Sequence, residues 1–484
     1  MTANPSKEQL NVLVYMIGTR GDVMPAVPVC QALEKRGHKT LFVSTPNYRE
    51  SVEAFGLKFA AACSTNWEWR NEYSYLSEDE VDEMLVTMDP KRFVKICGEK
   101  GLPWNLAALI PEAAKGLVKI LQTGNFDTIF TNVCGCFSAF RAFKGQQKSN
   151  MVFISSNYSP GFQVVSGAYV PVGYTMSKYG WMNRMKQMHF MFTVFLPTVA
   201  NLPEMKKSTE EVSKVEGVDN RGDFTVMMEL GKEPVIGMWS PALFPPQPDY
   251  DKNIHVAGVA LLPPPPGWIS SSTLKAFMEK RDAQGRKPIV VDFGSMPAGS
   301  RLLEHLGSIL VKLGYNVCLQ VGTSKDEPVR TDFGVLGSRE GSADATQPDR
   351  IFRTSYVDHA WLFPRACAVI CHGGAGTLQR CLMSGIPIVV CPMVACLIAD
   401  QRWHGTYLEK EGLGVLIAGL HPSEDEVKAA MDKALSCTDA CAAMAEKMKS
   451  EEDGAEVIAQ KIEKITFEKR EGKLEKKGCL GFMG

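Results

Sequence analysis

Val369-Ile-Cys-His-Gly-Gly-Ala-Gly-Thr-Leu-Gln-Arg-Cys-Leu-Met-Ser-Gly-Ile-Pro-Ile-Val-Val-Cys-Pro392 is the stretch from which the fold can be read. A short apolar strand runs into a glycine-rich turn at residues 372–376, then a helix over 377–384 and a second buried strand over 386–390. This is a βαβ unit. Gly373, Gly374 and Gly376 let a ligand approach the backbone, and the free N–H groups and positive dipole end of the helix favour an anion there. His372 adds a donor at the same place. A Gly-Gly-x-Gly turn also serves as a plain tight connection, so the stretch alone leaves both readings open.

Upstream of it the same pattern occurs, with a strand at 289–293, the turn Gly294-Ser295-Met296, a helix at 301–313 and a strand at 316–321. The first half of the chain opens on an apolar run at 12–17 and the turn Gly18-Thr-Arg-Gly-Asp22. A helix follows from Pro25 to near Gly37, then strands at 40–44, 57–61, 128–132 and 151–155, with a helix at 136–144 between the last two. Alternation of this kind predicts an α/β protein of two Rossmann-like, doubly wound domains facing across a cleft. The divisions fall at an N-terminal domain over 1–250, a proline-rich connector over 251–268, a C-terminal domain over 269–445, a C-terminal helix over 446–468 and a basic tail over 469–484. Residues 324–349 read as a polar loop, and residues 441–468 as one long amphipathic helix.

Composition narrows the function. With 53 basic and 54 acidic residues the net charge is -1, which argues against bulk nucleic-acid binding. Fourteen cysteines are scattered through strands and helices without zinc-site spacing, and the first ten residues carry no secretory pattern. Reduced thiols and a cytoplasmic location are the expectation. The basic run before Cys479 offers a point of peripheral membrane contact, set against a simple solvated tail. Asp249-Tyr-Asp251, the single Asp-x-Asp, sits among prolines and reads as turn chemistry, so no metal site is expected.

Asp22 follows the first strand at the end of the sheet where open α/β folds bind ligands. It can act as a general base or simply cap the next helix. Trp181, Met185, Met188, Phe192 and Phe195 recur at helical spacing as one apolar face, which fits core packing, a greasy acceptor pocket or a membrane-facing lip. A nicotinamide or flavin site is disfavoured because the first turn lacks Gly-x-Gly-x-x-Gly spacing.

Gly18-Thr-Arg-Gly-Asp22, Arg36-Gly-His38, Phe293-Gly-Ser295, His359-Ala-Trp-Leu-Phe363, His372-Gly-Gly-Ala-Gly-Thr377 and Asp400-Gln401 together resemble the sterol 3-beta-glucosyltransferase-like group of UDP-glycosyltransferases, of GT-B fold. The resemblance implies an inverting, metal-independent transfer of a hexose, glucose by preference, from a UDP-sugar to a hydroxyl of a sterol or other hydrophobic acceptor, with no cofactor. It implies Asp22 as the base. His372, Ser295 and the backbone at Gly374, Gly376 and Thr377 would hold the diphosphate, Asp400 and Gln401 the sugar, and the backbone at Val357 the uracil. The acceptor would meet Trp181, Met185, Met188 and Phe192, while His38 reads as structural. A sugar-nucleotide epimerase and a non-catalytic UDP or lipid binder are the competing readings. Asp292 beside the phosphate turn, and a longer gap at 393–399, depart from the family pattern.

Overall fold

The computed structural model describes residues 8–64, 78–87, 95, 106–146, 150–160, 179–189, 203–294, 299–320, 329–331, 334–336, 350–354, 357–393 and 400–472. Seven parallel strands make the first sheet: β1 (Asn11–Tyr15), β2 (Lys39–Ser44), β3 (Phe59–Ala61), β4 (Thr128–Asn132), β5 (Val152–Asn157), β6 (Val235–Gly237) and β7 (Ile254–Val256). Their order is β3-β2-β1-β4-β5-β6-β7. β7 lies inside the proline-rich stretch 251–268, which therefore supplies an edge strand as well as a connection. After β8 (Ile289–Asp292) and β9 (Val317–Gln320) comes a small antiparallel hairpin, β10 (Val329–Thr331) and β11 (Gly334–Leu336), in the stretch read as a loop. β12 (Ile351–Thr354), β13 (Ala368–Cys371), β14 (Ile388–Val390) and β15 (Gly414–Leu416) complete a six-stranded parallel sheet ordered β12-β9-β8-β13-β14-β15.

The near-continuous apolar runs of the central strands follow from burial on both sheet faces. On β1, Val12 and Val14 face one way, onto Val27 and Leu33 of the helix Ala26–Lys35, while Leu13 and Tyr15 face the other, onto Leu117, Leu121 and Phe140. The second sheet is covered likewise, by the helices Gly299–Lys312 and Glu424–Ser436 on one face and Ala375–Met383 and Ser272–Ala283 on the other.

The expected long C-terminal helix is two helices, Thr438–Lys449 and Gly454–Arg470. The break comes where Asp453 caps the second, its carboxylate accepting the N–H groups of Ala455 (2.8 Å) and Glu456 (3.3 Å). That second helix crosses back to the first sheet, where Ile458 and Ile462 enter the core beside Val12 and Val27. Arg36 holds it through Glu463 (2.5 Å) and Glu456 (2.5 Å), and Thr466 meets Thr128 at 2.6 Å. His38 is part of this seam: its Nδ1 accepts the Leu10 N–H at 3.1 Å and its Nε2 lies 3.7 Å from Glu463.

In each sheet the chain starts at the centre and later crosses to the other side. The switch therefore falls between β1 and β4 in the first sheet and between β8 and β13 in the second. Crevices beyond the carboxyl ends of strands at such points are where open α/β sheets bind ligands.

Candidate functional site

At the first switch point the chain leaves β1 through Gly18, whose φ of 127° suits glycine, and a Cβ there would meet the Asp22 carboxylate at 2.6 Å. Asp22 lies in the short helix Arg20–Val23. Its Oδ2 accepts both the N–H and the hydroxyl of Thr19, each at 2.7 Å, so it completes the capping box of its own short helix rather than capping the next one. The backbone of this turn is held from the neighbouring strands. Asn132, at the end of β4, donates to the carbonyls of Ile17 (2.7 Å) and Asp22 (3.0 Å), and the Tyr158 hydroxyl donates to the Asp22 carbonyl at 2.5 Å. Burial pushes the Asp22 carboxyl up to about 6, against the two Thr19 hydrogen bonds, and the nearby charge of Asp400 adds to the rise. A carboxylate so placed is basic enough to take a proton near neutrality.

At the second switch point β13 ends at Cys371 and leads into His372. The helix Ala375–Met383 starts with Gly374 at its N-cap, so the N–H groups of Ala375, Gly376 and Thr377 have no intrahelical acceptor. Gly376 is exposed, with open space where a Cβ would stand, whereas a Cβ on Gly374 would strike His372 Nε2 at 2.3 Å. Among the described residues His372 Nδ1 is buried without a hydrogen-bond partner. Burial lowers the imidazole below its ordinary 6.5, with Asp292 and Asp400 pulling the other way. Asp400 opens the helix Asp400–Lys410 and reaches across the cleft to Ser159, whose hydroxyl lies 3.4 Å from its Oδ2. His404, one turn on, is fully buried, with Nδ1 2.7 Å from the Gly373 carbonyl and Nε2 3.9 Å from Asp400.

The structure thus brings Asp22, His372, Gly374, Gly376, Thr377 and Asp400 to the two facing switch points. Gln401 is buried, and its carboxamide oxygen accepts the Met393 N–H at 2.8 Å, fixing the start of the long gap that follows. Val357 is buried ahead of Asp358, which caps the helix His359–Leu362 through Ala360 (2.9 Å) and Trp361 (3.3 Å). Ser295 and Phe192 lie outside the described residues.

The helix Gly180–His189 differs from its expected packing. Trp181 and Met185 are 67% and 57% exposed and Met188 is half-buried, while polar Asn183 and Gln187 face inward. Arg184 is turned to the Asp249 carbonyl at 3.1 Å, which accounts for one carboxyl-bearing residue of the Asp-x-Asp. Apolar spacing reports that a face exists, not which way it points.

Asn132, Tyr158, Asp292, His359 and His404 were missed as site residues. All but His359 and His404 sit at or just beyond strand ends on the crevice side, a positional signal available from the strand assignments. Among the described residues no disulfide joins the cysteines.

Two facing parallel-sheet domains of this kind, with the ligand turns at their switch points, define the GT-B class of glycosyltransferase. The fold is similar to that of the glycotransferase of kitacinnamycin (TM-score 0.59, 15% identity, 95% of this chain and 99% of that one) and of CalG4, the calicheamicin glycosyltransferase (TM-score 0.57, 15% identity, 95% and 98%). Residues 12–152 match the Glycosyltransferase family 28 N-terminal domain and residues 294–462 its C-terminal domain. The chain belongs to glycosyltransferase family 28. Among curated proteins it is 24% identical over 449 residues to a sterol 3-beta-glucosyltransferase of Cryptococcus neoformans, covering 85% of this chain and 24% of that protein. It is also 24% identical over 439 residues to the one of Sclerotinia sclerotiorum, covering 86% and 26%. The chain therefore spans about a quarter of the length of the curated relatives it matches.

Proposed function

We propose that this protein is an inverting, metal-independent glycosyltransferase that moves a hexose, glucose by preference, from a UDP-sugar to a hydroxyl of a sterol or similarly hydrophobic molecule. The observation that carries the reading is the pairing of the two switch points across one cleft, with Asp22 on one side and His372, the open helix N-terminus and Asp400 on the other. Asp22 takes the proton of the acceptor hydroxyl as its oxygen attacks the anomeric carbon from the face opposite the leaving group. The diphosphate departs toward the first-turn N–H groups of the helix Ala375–Met383, where the helix dipole and His372 stabilise the growing negative charge. Asp400, beside Ser159, is positioned for the sugar hydroxyls. Ser295 and the backbone at Val357 complete the donor side, the latter toward the uracil.

The acceptor side offers hydrophobic reach. Trp181 and Met185 are exposed on the helix that also carries Lys186 and Arg184, the latter 3.7 Å from the Asp249 carboxylate. Such a lip suits collection of the acceptor from a lipid surface. No helix among the described residues is long and apolar enough to cross a membrane.

Acceptor-dependent UDP release from UDP-glucose, measured over sterols, flavonoids and fatty alcohols, tests the reading. Turnover with a sterol supports it. Conversion of the sugar nucleotide without any acceptor marks an epimerase instead, and UDP binding without turnover marks a non-catalytic binder.

A further inference from the structure

Asp292 is a carboxylate 1% exposed at the end of β8, on the strand next to the one that delivers His372. Its backbone stands in register with Cys371, and the turn that leaves it passes so close to His372 that a Cβ on Gly294 would lie 3.3 Å from the imidazole Cε1. A buried negative charge immediately behind a turn that receives a diphosphate opposes that ligand unless it is compensated. Its partners are few and specific. Oδ1 accepts the Gly294 N–H at 2.7 Å and the Gln320 side chain at 3.2 Å, and Oδ2 faces Nε2 of His359 at 2.7 Å.

His359 is fixed independently of Asp292. It opens the helix that Asp358 caps, and its ring stacks on Phe363 at 4.4 Å with 16° between the planes. Burial works against the charge on Asp292, but His359, the Gly294 N–H and His372 outweigh it and hold the carboxyl below its ordinary value. Asp292 thus stays ionised and ties the ends of β8 and β9 to the connection after β12.

We propose that Asp292 and His359 are a charge-compensating positioning pair for the donor: the carboxylate fixes the phosphate-side turn, and the His359 ring nitrogen 2.7 Å from it offsets its charge so that a nucleoside diphosphate is accepted beside it. The inference rests on the reading of the His372 turn as the diphosphate site. It assigns the His359-Ala-Trp-Leu-Phe363 stretch a part in donor binding through the side chain of His359, beyond contacts made by the backbone near Val357.

The test is calorimetric titration of UDP into the full chain and into H359Q, D292N and D292N/H359Q, with UDP-glucose KM and kcat measured in parallel. H359Q leaves the buried carboxylate uncompensated, and its UDP affinity is expected to fall by about tenfold or more. D292N/H359Q has lost both the buried carboxylate and its imidazole partner and is expected to return to within about threefold of the wild type, with the change in KM rather than kcat. A purely structural role predicts no such rescue, since the double variant has lost more native contacts than either single one. Unchanged affinity in H359Q, or a double variant as weak as H359Q, overturns the proposal. Wild-type chain that binds no UDP overturns the donor reading and the pair's role with it, whereas wild-type binding without the rescue overturns the pair alone.

Discussion

Replacing Asp22 by Asn separates the two jobs that this residue holds. Asparagine keeps an oxygen where Oδ2 accepts the Thr19 N–H and hydroxyl, both at 2.7 Å, so the Thr19–Val23 turn is preserved while the proton acceptor is lost. Loss of a positioned base lowers kcat by about 100- to 10,000-fold. Stability moves the other way. The Asp22 carboxyl is raised from 3.8 to about 6, so the folded state holds its proton more tightly than the unfolded chain does. The favourable contribution is complete below pH 3.8, fades as pH rises and is lost above about 6, leaving ionisation of Asp22 as a cost at neutral pH. The upper bound on that cost is about 3 kcal/mol. D22N is therefore expected to melt at the same temperature as the wild type or higher at pH 7.5, and to match it at pH 4. UDP affinity is unchanged. The wild-type kcat/KM, followed by UDP release, falls on the acid side with a midpoint near pH 6, and D22N loses that limb. Near wild-type turnover in D22N, or a stability loss equal to its activity loss, refutes the assignment.

Gly376→Ala places a methyl in the open space at the helix N-terminus, so it should weaken UDP binding while stabilising the fold by up to about 1 kcal/mol, as read by titration and thermal melting. Gly374→Ala, which meets His372 Nε2 at 2.3 Å, should lose both. Because burial lowers the His372 imidazole below 6.5, UDP should bind more tightly as pH falls below that value and His372 takes up a proton; H372Q should flatten this dependence in calorimetry. Glu463→Ala releases Arg36 and should cost about 1–3 kcal/mol in urea unfolding, with donor affinity unaltered. Exposed Trp181 and Met185 should be replaceable by Ser within about 0.5 kcal/mol of wild-type stability, while sedimentation with anionic vesicles decreases and KM for a vesicle-borne sterol rises.

Much of the architecture could be read from the chain because buried parallel strands are written as uninterrupted apolar runs. Val12 to Ile17, Ile289 to Val291 and Val369 to Cys371 show this directly. Glycines and small caps punctuate them at Gly18, Gly294 and Gly374. What escaped were features set by pairing over long separations. His359 reads as part of a motif, yet its partner Asp292 lies 67 positions earlier, and nothing local announces the contact. Asn132 reads as the polar end of a strand until the topology sets that strand beside β1. The helix Gly180–His189 shows the converse. Its apolar spacing was plain, but the direction of the face depends on what the helix lies against, and here Asn183 and Gln187 face inward. The break at Ser450 to Asp453 escaped for another reason: periodicity continues across it, and only the cap at Asp453 marks the restart.

Incubation of the full chain with UDP-glucose and a sterol, followed by mass spectrometry and proton NMR of the products, tests the central claim most directly. The predicted result is a sterol carrying one hexose in the β configuration, formed in step with UDP and dependent on both substrates. A sugar nucleotide left intact, or converted without the sterol, contradicts it.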